Sequence, residues 1–269
     1  MQIITISRGS LSGAKKLSEH LSRELEIPIY KREEVFEEAE KYAISETGFC
    51  DISFIDRAPT VMERQYYRRK HYLLSFQVAL LDLVVHGSCI YEGHLGQYLL
   101  TSIPFILRIR VIQPFEKRVT NWMQKHNINH EQALNYIKLV DERRKHWSEF
   151  LYGVDIEDPK YYDLIINLDT MNVNTATTIV KNALEQPEYN SKSETLKMLK
   201  NLHLAAKTKL YLYLSPVTRG IEVDVKADER VSGITIEGLS KVMDSDKYES
   251  HIRNVLGKYS DYKKIEFSY

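Results

Sequence analysis

Cysteine is scarce in this 269-residue chain, where Cys50 and Cys89 are the only two and stand far apart. Two distant thiols cannot build the disulfide framework of a small secreted domain, so they read as reduced and the chain as cytoplasmic. An excess of charge of either sign is also missing, with 37 Lys plus Arg against 37 Asp plus Glu. No net field therefore drives the chain toward nucleic acid or an anionic membrane, and no nucleic-acid partner is expected. Long apolar runs are absent as well. The most apolar stretch, "YLLSFQVALLDLVV", is too short to cross a bilayer and carries Gln77 and Asp82. The N-terminus turns strand-like at Gln2, without the basic segment and apolar core of a signal peptide.

What remains is the pattern of an α/β protein. Short apolar strands, "QIITIS", "IPIY", "SCIYEG", "FILRIRVI" and "YYDLIINLD", alternate with helical segments. The helices are the stretch from Ala14 to Leu25, "KREEVFEEAEKYAIS", the long "VMERQYYRRKHYLLSFQVALLDLVVHG", "PFEKRVTNWMQKHN", "NHEQALNYIKLVDERRKHWSEFLYG" and "NTATTIVKNALEQ". Asn174 or Thr175 is the expected cap of the last. Between residues 46 and 60 the pattern weakens into a loop or small lid, with Gly48 and Pro59 as breakers. Strands alternating with helices predict a parallel sheet with helices on both faces, in three layers, and ligands bind such sheets beyond the carboxyl ends of the strands. Composition shifts near "EQPEYNSKS". A helix, two alternating strands, a helix and a last strand follow, an αββαβ order that predicts a small α+β domain over 193–269 after a large one over 1–185.

The turn between the first strand and first helix, "SRGSLSGAKKLS", is where a phosphate-binding loop sits in such a fold. Set on the pattern G-x-x-x-x-G-K-[ST], Gly9 takes the first glycine, Ala14 the second, Lys15 the lysine and Lys16 the hydroxyl position. Backbone amides, a helix N-terminus and a lysine meet an anion there, and glycine lets the backbone approach closely. Gly9, Ser10, Ser12, Gly13, Ala14, Lys15 and Lys16 are thus the candidate phosphate-binding residues. Taken alone, the motif describes an ordinary Gly/Ser turn equally well.

The ordered set of motifs says more. "ITISRGSLSGAKKLSEHLSRELEIPIYKREEV", "SCIYEGHLGQYLL" and the block from "VIQPFEKRV" to "YYDLIINLDTMNV" resemble the cytidylate kinase-like family of P-loop nucleoside monophosphate kinase relatives over about residues 1–184. The resemblance implies a P-loop NTPase-type fold, ATP with Mg²⁺, and phosphoryl transfer to a nucleoside monophosphate such as CMP. It also implies Lys15 as phosphate-loop cation, with Arg118 and Arg144 stabilising charge on the transferring group. Arg64, Arg68, Glu92, His94 and Asp141 are implied as acceptor-side residues. For Arg143, turned about 100° from Arg144 on a helix, a solvated position is expected. His94 stands where the family has an arginine, Lys31 where it has an aspartate, and Lys16 at the loop hydroxyl. These departures motivate a second expectation, a nucleotide-binding sensor or regulator with impaired turnover. His126 and His130 lack a carboxylate motif such as H-E-x-x-H, so no metal site is expected there.

The C-terminal stretch, with "TRGIEVDVKADERVSGITIEG" as its paired strands, resembles a BON domain. That resemblance implies binding to a protein or a phospholipid surface rather than catalysis, and a third expectation of surface attachment with the large domain as scaffold.

Overall fold

In the computed structural model the described residues are 1–9, 12–42, 66–93, 95–100, 102–189, 193–239 and 245–268. The first strand, β1 (Ile3–Arg8), leads to α1 (Ala14–Leu25). Then come β2 (Ile29–Lys31), α2 (Arg32–Glu40), α3 (Tyr66–Val84), β3 (Cys89–Glu92) and the short α4 (Gly96–Leu99). They are followed by β4 (Ile106–Ile112), α5 (Phe115–His126), α6 (His130–Tyr152), β5 (Leu164–Asn167) and α7 (Val173–Leu184). The five strands form one parallel sheet in the order β2-β3-β1-β4-β5. This is the three-layer α/β fold of P-loop kinases. β1 lies at its centre, and the strand order changes direction beside it, which opens a crevice at its carboxyl end.

The central strands are nearly continuous apolar runs because both faces of the sheet are covered. On one face Ile4, Ile6, Ile90, Leu107 and Ile109 pack against Leu17 and Leu21 of α1 and Val180 of α7. On the other, Ile3, Tyr91 and Ile106 meet α2, α3 and Trp147 of α6. The cap of α7 is Asn172, whose side chain accepts from the Thr175 amide, and neither Asn174 nor Thr175 holds that place. In the sequence Met-Asn-Val-Asn-Thr three residues can cap. The first wins because the apolar Val173 then begins the helix on the turn facing the core cluster. Cys89 is buried beneath this layer, and burial pushes its thiol up to about 12. Cys50 lies outside the described residues, as do the loop expected at 46–60 and the first residues of the long helix.

The C-terminal part follows the expected order: α8 (Ser193–Leu214), β6 (Asp224–Asp228), β7 (Gly233–Glu237), α9 (Ser245–Leu256) and β8 (Lys264–Ser268). β6 and β7 are antiparallel, and β8 adds parallel to β7. One short helical turn at Glu229–Val231, ended by Ser232 with φ 46°, connects the paired strands.

α8 belongs to two cores. Leu204 and Leu212 face the small sheet, while Leu199, Ala206 and Leu210 join the cluster around α3. A polar knot fastens that contact. The Asp82 carboxylate of α3 accepts from the Tyr42 hydroxyl and from His203 Nε2 at 2.6 Å, with Lys207 Nζ at 3.4 Å. Burial raises the Asp82 pKa, but the His203 and Tyr42 hydrogen bonds and the Lys207 charge outweigh it and hold the carboxyl below its ordinary value. A depressed carboxyl pKa contributes stability above the unfolded value near ~4 and loses it as pH falls through the folded value. The difference in urea-unfolding stability between wild type and Asp82→Asn is therefore expected to be full at neutral pH and to shrink on acidification below ~4. A difference that stays constant with pH contradicts the role assigned to the knot.

Candidate functional site

β1 ends at the centre of the sheet and delivers Gly9 to the crevice. A Cβ on Gly9 would lie 3.3 Å from Nη1 of Arg118, so the guanidinium is laid directly over the loop's first glycine. The turn closes with the Ser12 amide donating to Gly9 O at 3.3 Å. Gly13 then adopts φ 88° immediately before α1, a left-handed conformation for which glycine is the natural residue. The Gly13 carbonyl accepts from the Lys16 and Leu17 amides, which closes the first turn of α1 at the end of the loop. Ser12 is 1% exposed, and its Oγ has no hydrogen-bond partner among the described residues. A buried orphan hydroxyl in this turn fits an oxygen-rich group bound beside it.

Gly13, one residue before the position that the pattern gives the second glycine, is the residue that carries the left-handed φ. Ala14, buried, follows directly, and Lys15 comes one step later. The Lys15 side chain is 63% exposed and lies 3.7 Å from Glu19 along the outer face of α1, while Lys16 is exposed. The cations that reach the crevice come from elsewhere. Arg118 on α5 is 11% exposed and pairs with Asp141 of α6 at 2.7 Å. Arg144, one turn further along α6, lines the same cavity, together with Lys145 and Glu142, and Arg143 does not. Arg110, near the end of β4, is buried with Nη1 donating to Ile156 O and Nη2 to Glu157 Oε1, both at 2.9 Å. These residues with Gly9, Ile112 and Gln113 enclose about 430 Å³ beyond the carboxyl ends of β1 and β4. Three arginines over an amide-lined turn make a site for a multiply charged oxyanion.

Glu92 ends β3 in register with Ile6 of β1, buried, and accepts from Ser18 Oγ of α1 at 2.5 Å. It thus ties the loop-bearing helix to the sheet. Tyr162, next to Arg110, donates to Ile156 O at 2.6 Å, accepts from Gln97 at 3.1 Å and lies 3.4 Å from Ser7 Oγ. Ser10, Arg64 and His94 lie outside the described residues, as does the Arg68 side chain, whose backbone is helical in α3. His130 faces Glu116 at 3.2 Å, and the His126 ring lies tilted against Trp122.

The structure therefore brings together Gly9, Arg118, Asp141 and Arg144, with Gly13 and Ala14 opening the helix beside them. It sends Lys15 outward. Arg110, Gln113, Lys145 and Glu157 line the cavity without having been singled out in the sequence. For Arg110 a signal existed: a charged residue inside "FILRIRVI", between Ile109 and Val111, which are both buried.

Residues 3–170 match the cytidylate kinase-like family. A cytidylate kinase of Staphylothermus marinus is 27% identical over 101 residues, which is 37% of this chain and 56% of that enzyme. One from Ignicoccus hospitalis is 22% identical over 188 residues, 68% of this chain and 99% of the relative. A crystal structure of a protein from Eubacterium ventriosum is 19% identical, covering 69% of this chain and 99% of that one with a TM-score of 0.49. The first of these alignments spans little more than half of the relative's length. With the family match extending over well more than half of its residues, the chain belongs to the cytidylate kinase-like family.

Proposed function

We propose that the chain binds Mg-ATP in the arginine-lined cavity and transfers the γ-phosphoryl group to a nucleoside monophosphate, CMP being the acceptor that the relatives' name points to. The observation that carries this proposal is Arg118 laid over Gly9 with Arg144 and Arg110 around the same space. Phosphoryl transfer asks a protein mainly for positioning and charge stabilisation, and three guanidinium groups at one strand end supply both. Asp141 and Glu157 are engaged by Arg118 and Arg110, Glu142 lines the same cavity, and Mg²⁺ enters as part of the Mg-ATP substrate. Arg144 from α6 closes on the transferring group, Arg118 fixes the polyphosphate, and Asp141 keeps the Arg118 fork in its plane. The reaction belongs in the cytoplasm, where nucleotide and Mg²⁺ are both available.

A second reading is a sensor that binds nucleotide with little or no turnover. It is favoured by the buried Ala14 directly after the left-handed Gly13 and by Lys15 paired with Glu19 in solvent. In that reading occupancy of the cavity is relayed through α6, α3 and α8 to the BON-like unit at 193–269, whose partner is a protein or a phospholipid surface. One assay separates the two. Purified protein is incubated with Mg-ATP and a panel of nucleoside monophosphates, and diphosphate product is measured against Arg118→Met. Product formation from CMP, lowered ~100-fold or more in the variant, supports the kinase. ATP-dependent thermal stabilisation that Arg118→Met abolishes, with no product from any acceptor, leaves the sensor and removes the enzyme.

A further inference from the structure

Between α6 and β5, residues 153–158 run along the arginine-lined cavity, and Ile156 and Glu157 form part of its wall. The backbone of this segment is fastened before and after Glu157. Ile156 is buried, and its carbonyl accepts from the Tyr162 hydroxyl at 2.6 Å and from Arg110 Nη1 at 2.9 Å. Asp155 Oδ1 accepts from the Glu157 amide at 2.9 Å, while its Oδ2 lies 3.5 Å from Lys145 Nζ of α6. Asp158 caps the short turn Pro159–Tyr161. The Glu157 carboxylate takes no part in those contacts. It reaches back to Arg110, whose Nη2 donates to its Oε1 at 2.9 Å.

The two partners of that ion pair differ in burial. The Arg110 side chain is 9% exposed and that of Glu157 is 65% exposed. A guanidinium so far from water needs an anion beside it, whereas an exposed carboxylate is nearly as well solvated alone. Rotation of the Glu157 side chain is enough to release Nη2, because Nη1 stays on Ile156 O and keeps the fork in place. A phosphate oxygen that takes over Nη2 leaves the charge balance around Arg110 as it was.

We infer that Glu157 is an internal counter-anion, seated on Arg110 in the empty site and exchanged for an incoming phosphate group. The inference rests on the kinase reading for assigning that group to Mg-ATP, but the exchange itself needs only an oxyanion. Glu157 is thus a built-in competitor. The apparent affinity of the cavity falls by the fraction of molecules in which Arg110 is open, and the returning carboxylate helps to expel product.

The test is calorimetric titration of the full chain with inorganic pyrophosphate and with Mg-ATP, for wild type, Glu157→Gln and Glu142→Gln. Glu157→Gln is expected to bind both ligands ~10-fold more tightly, with release slowed in proportion. Glu142→Gln removes an equal charge from the same cavity wall and gains less than ~3-fold, because solvent screens a purely through-space effect. Equal gains in the two variants overturn the inference. So does unchanged or weaker binding by Glu157→Gln, the signature of a carboxylate that merely holds Arg110 in place. Should Glu157→Gln not fold, the side-chain carboxyl carbon resonance of Glu157 in the wild type decides. It moves toward that of a free carboxylate on addition of pyrophosphate, or the inference fails. Tighter pyrophosphate binding by Glu157→Gln with no product from any acceptor keeps the inference and removes the kinase reading. Mg-ATP turnover with equal pyrophosphate affinity in wild type and Glu157→Gln does the reverse.

Discussion

Arg118→Met is expected to weaken Mg-ATP binding by ~100-fold or more, with Lys15→Ala costing less than ~5-fold. The ratio follows from where the two cations lie. The Arg118 guanidinium is 11% exposed, 2.7 Å from Asp141, with Nη1 3.3 Å from where a Cβ of Gly9 would stand. Charges screened from water interact several times more strongly than charges in it, and a planar fork can hold two phosphate oxygens at once. Lys15 is 63% exposed and shares its charge with Glu19, so solvent screens whatever it offers a ligand. Methionine keeps the stem volume of Arg118, which makes the substitution a test of charge rather than of packing. It does remove the ion pair between Arg118 and Asp141. Since Asp141 is one-third exposed, the resulting destabilisation is about 1–2 kcal/mol, below that of a fully buried broken pair. Calorimetric titration with Mg-ATP measures the first effect and urea unfolding the second. Equal losses in the two variants would return the main anion contact to Lys15.

Gly96→Ala is expected to destabilise the fold by about 3 kcal/mol, read as a lowered urea midpoint with unchanged slope. A Cβ on Gly96 would stand 2.4 Å from Tyr91 Cδ1 and 3.3 Å from Thr5 Cγ2. Gly93 is constrained in the same way, with its Cβ position 2.3 Å from the Tyr91 hydroxyl oxygen. The Tyr91 ring is wholly buried and fills the space that the two glycines leave, so it has nowhere to retreat. Pairing Gly96→Ala with Tyr91→Leu should cost less than the sum of the two changes, because the smaller side chain yields to the new methyl group. Additive losses would mean that the strain lies in the backbone rather than in the ring.

The sheet was legible because strands covered on both faces read as nearly continuous apolar runs, which "IITIS", "CIY" and "ILRIRVI" are apart from Thr5, Ser7 and two arginines. The helix after Pro114 and the one closed by Gly153 were legible from their punctuation, and both end in left-handed residues, Asn127 and Gly153. Arg118, Arg144 and Asp141 were found through the order of motifs along the chain. Lys15 was read from the same order, and its 63% exposure beside Glu19 is a feature that no spacing rule foretells. Arg110 escaped for a different reason: strand periodicity reports which face a residue takes, but not that a buried arginine there has Ile156 O and Glu157 to satisfy it. The double role of α8 was equally hidden, since a helix following a composition break carries no mark of the second core it joins.

A crystal structure of the full chain with Mg-ADP is the most direct test of the account. The account predicts the β-phosphate against the turn between Gly9 and Gly13, within hydrogen-bonding reach of the first amides of α1 and of the Arg118 guanidinium, with Lys15 still directed toward Glu19. A nucleotide bound away from the carboxyl end of β1, with Arg118 making no contact to it, would contradict the account.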